Sequence, residues 1–516
     1  MTTLSSLNVS LPPTVTTVTP VSNTGSSLSS TASAAAKDAI TGSGSTIVTI
    51  PSASGESPIL YTQQGILAGA ESTVTWAHSS NDAVSLAMAG DYLSGTMSGQ
   101  FYNLGSALLD RFKTTDSNFS QSVTVASAGA TSALGGSGQG PQGEIKLTVV
   151  TASGVKVEID MDSEDGTLAV NMKSSGTLSP AERSALAKLS GGFQHAIDGL
   201  NAYPPKLDLT DLSQYDTSVL SSVNMQVNVT GDGEHNLSAN ISLNGSARSV
   251  SVTDPDGTIN LKVDTSNSAI WGSGKQREQA IASYLAQFDN ASTKGHGNAE
   301  LMSMFKDAFT PLNSDYGTSS QQLPGTAYVP WLAQSDHAML TGLADFTGSV
   351  TDIRVSSNPL QENQTDSFSY QVSQSTRTQG DLQNGTIAQT QQSHLQASYH
   401  EGLSGGPVHL GNTLASQNYK YFQVDDDASS TVNIASQRNE LRQTSLNQSS
   451  SQSTRQSEYQ QGVLVSDTTT PTSTSSSKDL LKLLQPLVSD NEAAENTGAW
   501  QQALSGVHAM VLLNAS

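Results

Sequence analysis

Apolar and polar residues alternate with a period of two through much of this chain after residue 144. That alternation predicts β-strands with one buried and one wet face. It is plain in Ile145-Lys-Leu-Thr-Val-Val, Val155-Lys-Val-Glu-Ile-Asp-Met and Thr167-Leu-Ala-Val-Asn-Met, with Ser153-Gly154 and Glu164-Asp165-Gly166 as turns. After Val219 it returns as Val223–Val229, Leu237–Leu243, Val250–Thr253 and Ile259–Val263, with Asp254-Pro255-Asp256-Gly257 as a turn. Helical spacing follows each set. Ser179-Pro180-Ala181-Glu182 is a capping box with proline at the first helical position, and predicts a helix to about Leu200 that Pro204-Pro205 ends. Further helices are expected near Lys275–Asp289 and Ala299–Phe309. A meander followed by helices, seen twice, predicts an α+β domain over residues 144–325 and suggests an old duplication.

After Pro330-Trp331 the alternating runs become longer and more polar: Phe346–Val355, Ser367–Thr378, Thr386–Tyr399, Tyr419–Val424, Ser430–Ala435, Leu441–Gln456 and Gly462–Asp467. They predict a broad, twisted antiparallel sheet domain over 326–470. Phe368, Tyr370, Leu395, Tyr421 and Val432 are expected on its covered face, and Gln, Ser and Thr on a face open to water. The pentapeptide Ser-Gln-Ser-Thr-Arg occurs twice here, at Ser373–Arg377 and Ser451–Arg455. Each copy precedes a turn, Gln383-Asn384-Gly385 or Gln460-Gln461-Gly462, and two-residue periodicity puts Ser375 with Arg377, and Ser453 with Arg455, on one water-facing side. Thr468–Ser477 reads as a linker. Over 471–516 it leads to C-terminal helices carrying Leu480, Leu481, Leu483, Leu484 and Leu487, then Trp500, Leu504, Val507 and Val511, which are expected to cover the sheet.

The first part of the chain is different. Residues 1–55 are rich in Ser, Thr, Ala and Pro without an apolar period, and predict a disordered tail; an unstructured export signal is the functional alternative. Residues 56–143 divide into a helical segment and a linker. Ser79-Ser80-Asn81-Asp82 caps a helical run through Val84, Leu93, Leu104 and Phe112, weakened by Gly90, Gly95, Gly99 and Gly105. The Gly/Ser/Ala stretch Ser127–Gly143 is the linker. Met1-Thr-Thr-Leu-Ser-Ser-Leu-Asn has neither a basic n-region nor an apolar h-region, so no Sec signal peptide is expected. No run approaches the ~18 apolar residues of a membrane-spanning helix.

Composition narrows the function classes. Over 516 residues only 35% are hydrophobic and 13% charged, so Ser, Thr, Asn, Gln and Gly fill the surface and the cores are expected to be thin. A net charge of −22 opposes binding to phosphate backbones and anionic membranes. There are no cysteines, which excludes disulfides, zinc thiolates, iron–sulfur clusters and a Cys nucleophile.

Motifs with chemical meaning fail on context. Gly138-Gln-Gly140-Pro-Gln-Gly143 matches a dinucleotide fingerprint, but it follows small polar residues, contains Pro141 and precedes a strand where a helix is required. Asp160-x-Asp162-x-Glu164-Asp165-Gly166 echoes a calcium loop, yet the sixth and twelfth positions hold Asp165 and Asn171. Gly402-Leu-Ser404-Gly-Gly406 matches a nucleophile elbow, but Pro407 and an extended run follow, and His409 and Glu401 are neighbours in sequence only. His394 and His400 share a strand face roughly 20 Å apart, too far for one ion. His195 and Asp198 share a helix face without a H-E-x-x-H motif, and Trp271-Gly-Ser-Gly-Lys275-Gln is not a phosphate-binding loop. No catalytic, cofactor-binding or metal-ligating residue is assigned, and no cofactor is expected.

The stretch Tyr370–Thr470, including Tyr419-Lys-Tyr-Phe-Gln-Val-Asp-Asp-Asp, resembles uncharacterised Ser/Thr/Gln-rich proteins of Gram-negative bacteria, some of which carry dehydrogenase labels. The residues that carry the resemblance form no functional motif, so it implies no site. The expectation is a non-enzymatic exported or envelope-associated protein that leaves by a non-Sec route. Its polar sheet would serve assembly or adhesion with a protein partner or with itself. The alternatives are a hydrolase acting on polar polymers such as glycans, and a cytoplasmic chaperone-like binder.

Overall fold

The computed structural model describes residues 60–61, 67–68, 72–79, 81–115, 117–127, 142–230, 236–316, 337–355, 357–380, 384–437, 440–483 and 498–513. The chain divides into two compact units, Met1–Gly69 and Ala70–Ser516. In the first, Leu60–Tyr61 (β1) and Leu67–Ala68 (β2) pair antiparallel. The class is α+β, with 29% helix and 46% strand.

The second unit is built on one sheet. Its strands are β3 (Ser72–Trp76), β4 (Phe119–Ser127), β5 (Gln142–Thr151), β6 (Lys156–Glu164), β7 (Thr167–Ser174), β8 (Leu220–Thr230), β9 (Leu237–Asn244), β10 (Ala247–Asp254) and β11 (Gly257–Asp264). Then come β12 (Asp345–Asp352), β13 (Ser367–Gly380), β14 (Asn384–Gly402), β15 (Tyr419–Gln437), β16 (Glu440–Gln460) and β17 (Val463–Asp479). These 15 strands lie in the order β17-β16-β15-β14-β13-β12-β11-β10-β9-β8-β5-β6-β7-β4-β3. From β8 to β17 each strand pairs with the next in sequence. Tight turns join sheet neighbours: Asp165-Gly166 (φ 48° and 75°) between β6 and β7, and Gln461-Gly462 (φ 51° and 78°) between β16 and β17, adopt the left-handed pair that matches strand twist.

Helices interrupt the meander at fixed points. Ala83–Asp91 (α1), Met97–Gln100 (α2) and Leu104–Asp110 (α3) lie between β3 and β4; Pro180–Lys188 (α4), Ser190–Leu200 (α5) and Thr210–Ser213 (α6) between β7 and β8. Gly274–Gly295 (α7) and Ala299–Ser314 (α8) join β11 to β12, and Gly498–Val511 (α9) follows β17. The strands turn their apolar positions to these helices, as with Ile145, Leu147 and Val149 of β5 and Phe368, Tyr370 and Val372 of β13, all buried in one core. At its centre Tyr284 and Phe288 of α7 meet Phe305 and Phe309 of α8, Phe346 of β12 and Tyr370, with ring centroids 5.0–5.9 Å apart across the α7–α8 and helix–sheet contacts. Gly348 lets α8 lie this close, because a Cβ there would come within 2.6 Å of the Phe305 ring.

The start of α8 carries a titratable cost. Asn298 caps the helix by accepting from the N–H groups of Glu300 and Leu301, and its own N–H donates to Asp352 Oδ2 at 2.8 Å. Burial, reinforced by Asp256 and Asp254, pushes the Asp352 carboxyl up to about 6. A carboxyl whose folded value lies above its unfolded one destabilises the fold where it is charged, so this cost is present above about pH 6 and disappears as pH falls towards 4. Asp352→Asn is expected to stabilise the protein at pH 7 by roughly 1 kcal/mol, after discounting for the half-exposed site. Urea melts at pH 7 and pH 4 check this: the gain should vanish at the lower pH, and an equal gain at both would reject the assignment.

Several expectations change in the folded chain. The helical run before Phe112 is three short helices, because α1 stops at Asp91 and Asn103 takes a left-handed φ of 54°. The Asp425-Asp-Asp427 run, expected between two strands, lies inside the single strand β15. There Asp425 and Asp427 reach water, while Asp426 turns to the helix side and pairs with Lys294 of α7 at 2.5 Å. The segment Thr468–Ser477 is not a linker but part of β17, since its backbone pairs with β16 from Val463 to Asp479. β11 pairs with β12, so strands on both sides of residue 326 share one ladder. The tail expected over 1–55, most of the 127–143 linker, and Leu484 and Leu487 lie outside the described residues.

Candidate functional site: the open polar face

The helices cover one side of the sheet, and the other side is where polar chemistry gathers. Antiparallel register aligns same-face residues into rows across the strands. One row runs Asn240, Ser251, Asn260, Ser349, Gln371, His394, Asp427, Ser451, Ser473. A second runs Ser242, Ser249, Lys262, Thr347, Ser373, Gln392, Ser429, Ser449, Ser475. A third runs Ser238, Thr253, Thr258, Thr351, Ser369, Gln396, Asp425, Ser453 and ends at Pro471. Neighbours bond to one another, as in Ser251 Oγ donating to Asn260 Oδ1 at 2.8 Å and the Ser429–Ser449 hydroxyl pair at 2.8 Å. Each amide or hydroxyl keeps further hydrogen-bonding capacity for a partner. Between β10 and β16 the face is hollowed into a trough of about 920 Å³, lined by short polar side chains with Lys262, His394 and Asp427, and without Phe, Tyr or Trp.

His394 and Asp427 face each other across β14 and β15, with His394 Nδ1 2.9 Å from Asp427 Oδ1 and 4.0 Å from Asp425 Oδ1. One imidazole and two carboxylates suit a borderline divalent ion. All three side chains are 38–66% exposed, and an exposed His–Asp hydrogen bond accounts for the same geometry.

At one end residues 357–366 fold over the open face. Tyr421, expected among the covering apolar residues, belongs to this face, because residues 419, 421, 423, 425 and 427 point the same way. Its hydroxyl donates to the Thr365 carbonyl at 3.1 Å. Here Ser357, Asp366 and His400 converge, with the His400 side chain only 1% exposed. The trio has the composition of a hydrolase triad but not its wiring. Ser357 Oγ and Asp366 Oδ1 both address His400 Nδ1, at 3.1 and 2.6 Å, while Nε2 faces Gln364 Oε1 at 3.2 Å. A triad needs serine and carboxylate on opposite ring nitrogens. Gln364 also joins Tyr419 and Tyr459, whose rings stack 4.8 Å apart, so the network fastens residues 357–366 to the sheet.

The two pentapeptides share a face but not a role. Ser373, Ser375 and Arg377 look outward from β13, whereas Gln374 is buried and donates to the Leu343 carbonyl at 3.0 Å, and Thr376 bonds Asp345. In the second copy Arg455 forms a two-pronged pair with Asp467 of β17, at 2.9 and 2.7 Å. Ser404 lies exposed in a turn where Gly405 and Gly406 have φ of 87° and 86°, followed by no helix of the kind an elbow needs. Glu164-Asp165-Gly166 is the β6–β7 hairpin, and Ser273 of the Trp271–Gln276 stretch caps α7. His195 pairs with Asp211 at 3.2 Å, and Asp198 accepts from Gln194. Gly138–Pro141 lie outside the described residues; Gln142 and Gly143 open β5. No family model, curated protein or solved structure matches this chain.

Proposed function

We propose that this chain is a non-enzymatic interaction protein of the cell exterior or envelope, which binds its partner across the open face of the sheet. The observation that carries the reading is the set of uninterrupted polar rows crossing from β9 to β17. A face of hydroxyls and amides at about 4.8 Å intervals suits a hydrated, extended partner held by many weak hydrogen bonds. The weakly charged, Ser/Thr/Gln-rich surface is of a kind ordinary for secreted or structural proteins.

A photo-crosslinking residue at Ser349, on the trough floor, should yield adducts in living cells, and one at exposed Glu278 on α7 should yield few. Equal yields would remove the open face as the binding surface. Fractionation should recover the protein from envelope or medium; recovery only from cytoplasm would remove the exterior assignment.

A further inference from the structure

The C-terminal helix is held by a device unlike the rest of the core. Leu504, Val507 and Val511 of α9 lie in a second apolar cluster with Ile387, Val432, Ile434 and Leu446, separate from the main one. The carbonyls at its end, which a helix leaves unpaired, are taken by side chains of the sheet and α7. Gln391 Nε2 and Ser430 Oγ donate to Val511 O at 2.7 and 2.9 Å, Gln448 Nε2 to Met510 O at 3.0 Å, and Gln287 Nε2 to Leu513 O at 2.5 Å. Gln391 Oε1 also accepts from Leu513 N at 2.9 Å.

In the middle of this contact sits His508, 1% exposed. Its Nε2 lies 3.1 Å from the Thr341 carbonyl, which can only accept, so Nε2 carries the proton. Among the described residues its Nδ1 is buried with no partner. A second proton on the ring would therefore be placed in a sealed site with no acceptor, at the cost of an unpaired buried charge.

We propose that α9 is an acid-released latch: protonation of His508 lifts the C-terminal helix from its glutamine-lined groove while the sheet beneath stays folded. Among the described residues, the surrounding elements offer nothing to hold the imidazolium. The strands under α9 carry no charged residue over 385–393, 428–436 or 443–449. The charged groups on the other packed elements are His337 and Asp345 flanking the 338–344 segment, Lys478 and Asp479 closing β17, Lys482 beyond it, and Lys275, Arg277, Glu278, Asp289 and Lys294 on α7. None of them acts on His508, whose value is lowered by burial and opposed only by the Thr341 carbonyl. A histidine with a lowered folded value stabilises docking fully above its unfolded value near 6.5, and that support is lost as pH falls below it. His337, also lowered by burial, pushes in the same direction.

Hydrogen exchange on the full chain tests the latch. After correction for intrinsic rates, peptides covering 498–513 should lose protection at least about tenfold between pH 7.5 and 5.0, one pKa unit of linkage being a factor of ten. Peptides from β13 to β15 should keep theirs. Unchanged α9 protection in the natural sequence would overturn the proposal without any variant. His508→Gln, which keeps a donor to Thr341 and cannot titrate, should abolish the acid response. An acid response that survives in His508→Gln and is lost in His337→Gln would assign the switch to the other histidine and overturn it.

Discussion

Phe288→Ala should lower the stability of the sheet unit by about 3–5 kcal/mol, the usual cost of emptying a buried aromatic site. Phe288 is fully buried on α7, with ring centroids 5.0 Å from Phe305, 5.1 Å from Phe309 and 5.9 Å from Tyr370. It therefore contacts α8 and the sheet together, and no single neighbour can move in to fill the space without abandoning another. Only 5% of this chain is aromatic, so the α7–α8 cluster concentrates a large share of what the core has to lose. Urea denaturation against Glu278→Ala, an exposed change on the same helix expected to stay within about 0.5 kcal/mol, measures the effect. A loss for Phe288→Ala below about 1 kcal/mol would mean that α7 does not seal the sheet as described.

Pro471→Thr should strengthen self-association along β17. This 17-residue strand ends the ladder and is exposed at every position, which leaves its outer backbone groups open to another chain. Two features blunt it. The register shifts between Glu458 and Tyr459, so that Leu464 follows Ser466 in the pairing and Val465 is left as the extra residue of a bulge. Pro471 lies opposite Ser453 with regular pairing on both sides, which is possible only if its nitrogen faces outward, where it offers no donor. Restoring that N–H adds one bond of about 1–1.5 kcal/mol per pairing event, enough to lower the onset concentration of association roughly tenfold. Sedimentation velocity over a concentration series reads this directly. Identical profiles for Pro471→Thr and the natural sequence would show that the edge is protected by something other than the proline.

Much of the covered face was legible from period alone. Phe368, Tyr370, Leu395 and Val432 take the sides that alternation assigns, and the capping box at Ser179–Glu182 starts α4. The buried amides are a correction: Gln, Ser and Thr were expected on the wet face, yet Gln389, Gln391 and Ser393 are buried. They share one parity with Ile387 and Leu395 of β14, and a buried amide there needs a polar partner from whatever covers it. What docks is not local information: Gln391 meets Val511 and Leu513 from a helix 120 residues later in the chain. Ser357 and Asp366 escaped notice because irregular segments carry no period, and only the fold brings them to His400.

The sequence by itself determined most strands after residue 144, most of their wet and dry sides and the polar character of the open face, but not β3 and β4, which lie where a helical segment and a linker were expected. What it determined follows from the two-residue alternation of a pleated backbone, which is a local property. It also determined the tight turns at Asp165-Gly166 and Gln461-Gly462, because left-handed backbone is a residue-level preference. Only the tertiary structure decided that β3 to β17 join one sheet, that Thr468–Ser477 is an edge strand, that Tyr421 lies under residues 357–366, and that His508 is sealed beneath α9. Those outcomes depend on strand order, register and the choice of which surface each helix covers. They are settled by contacts between residues far apart in the chain, which no local period encodes.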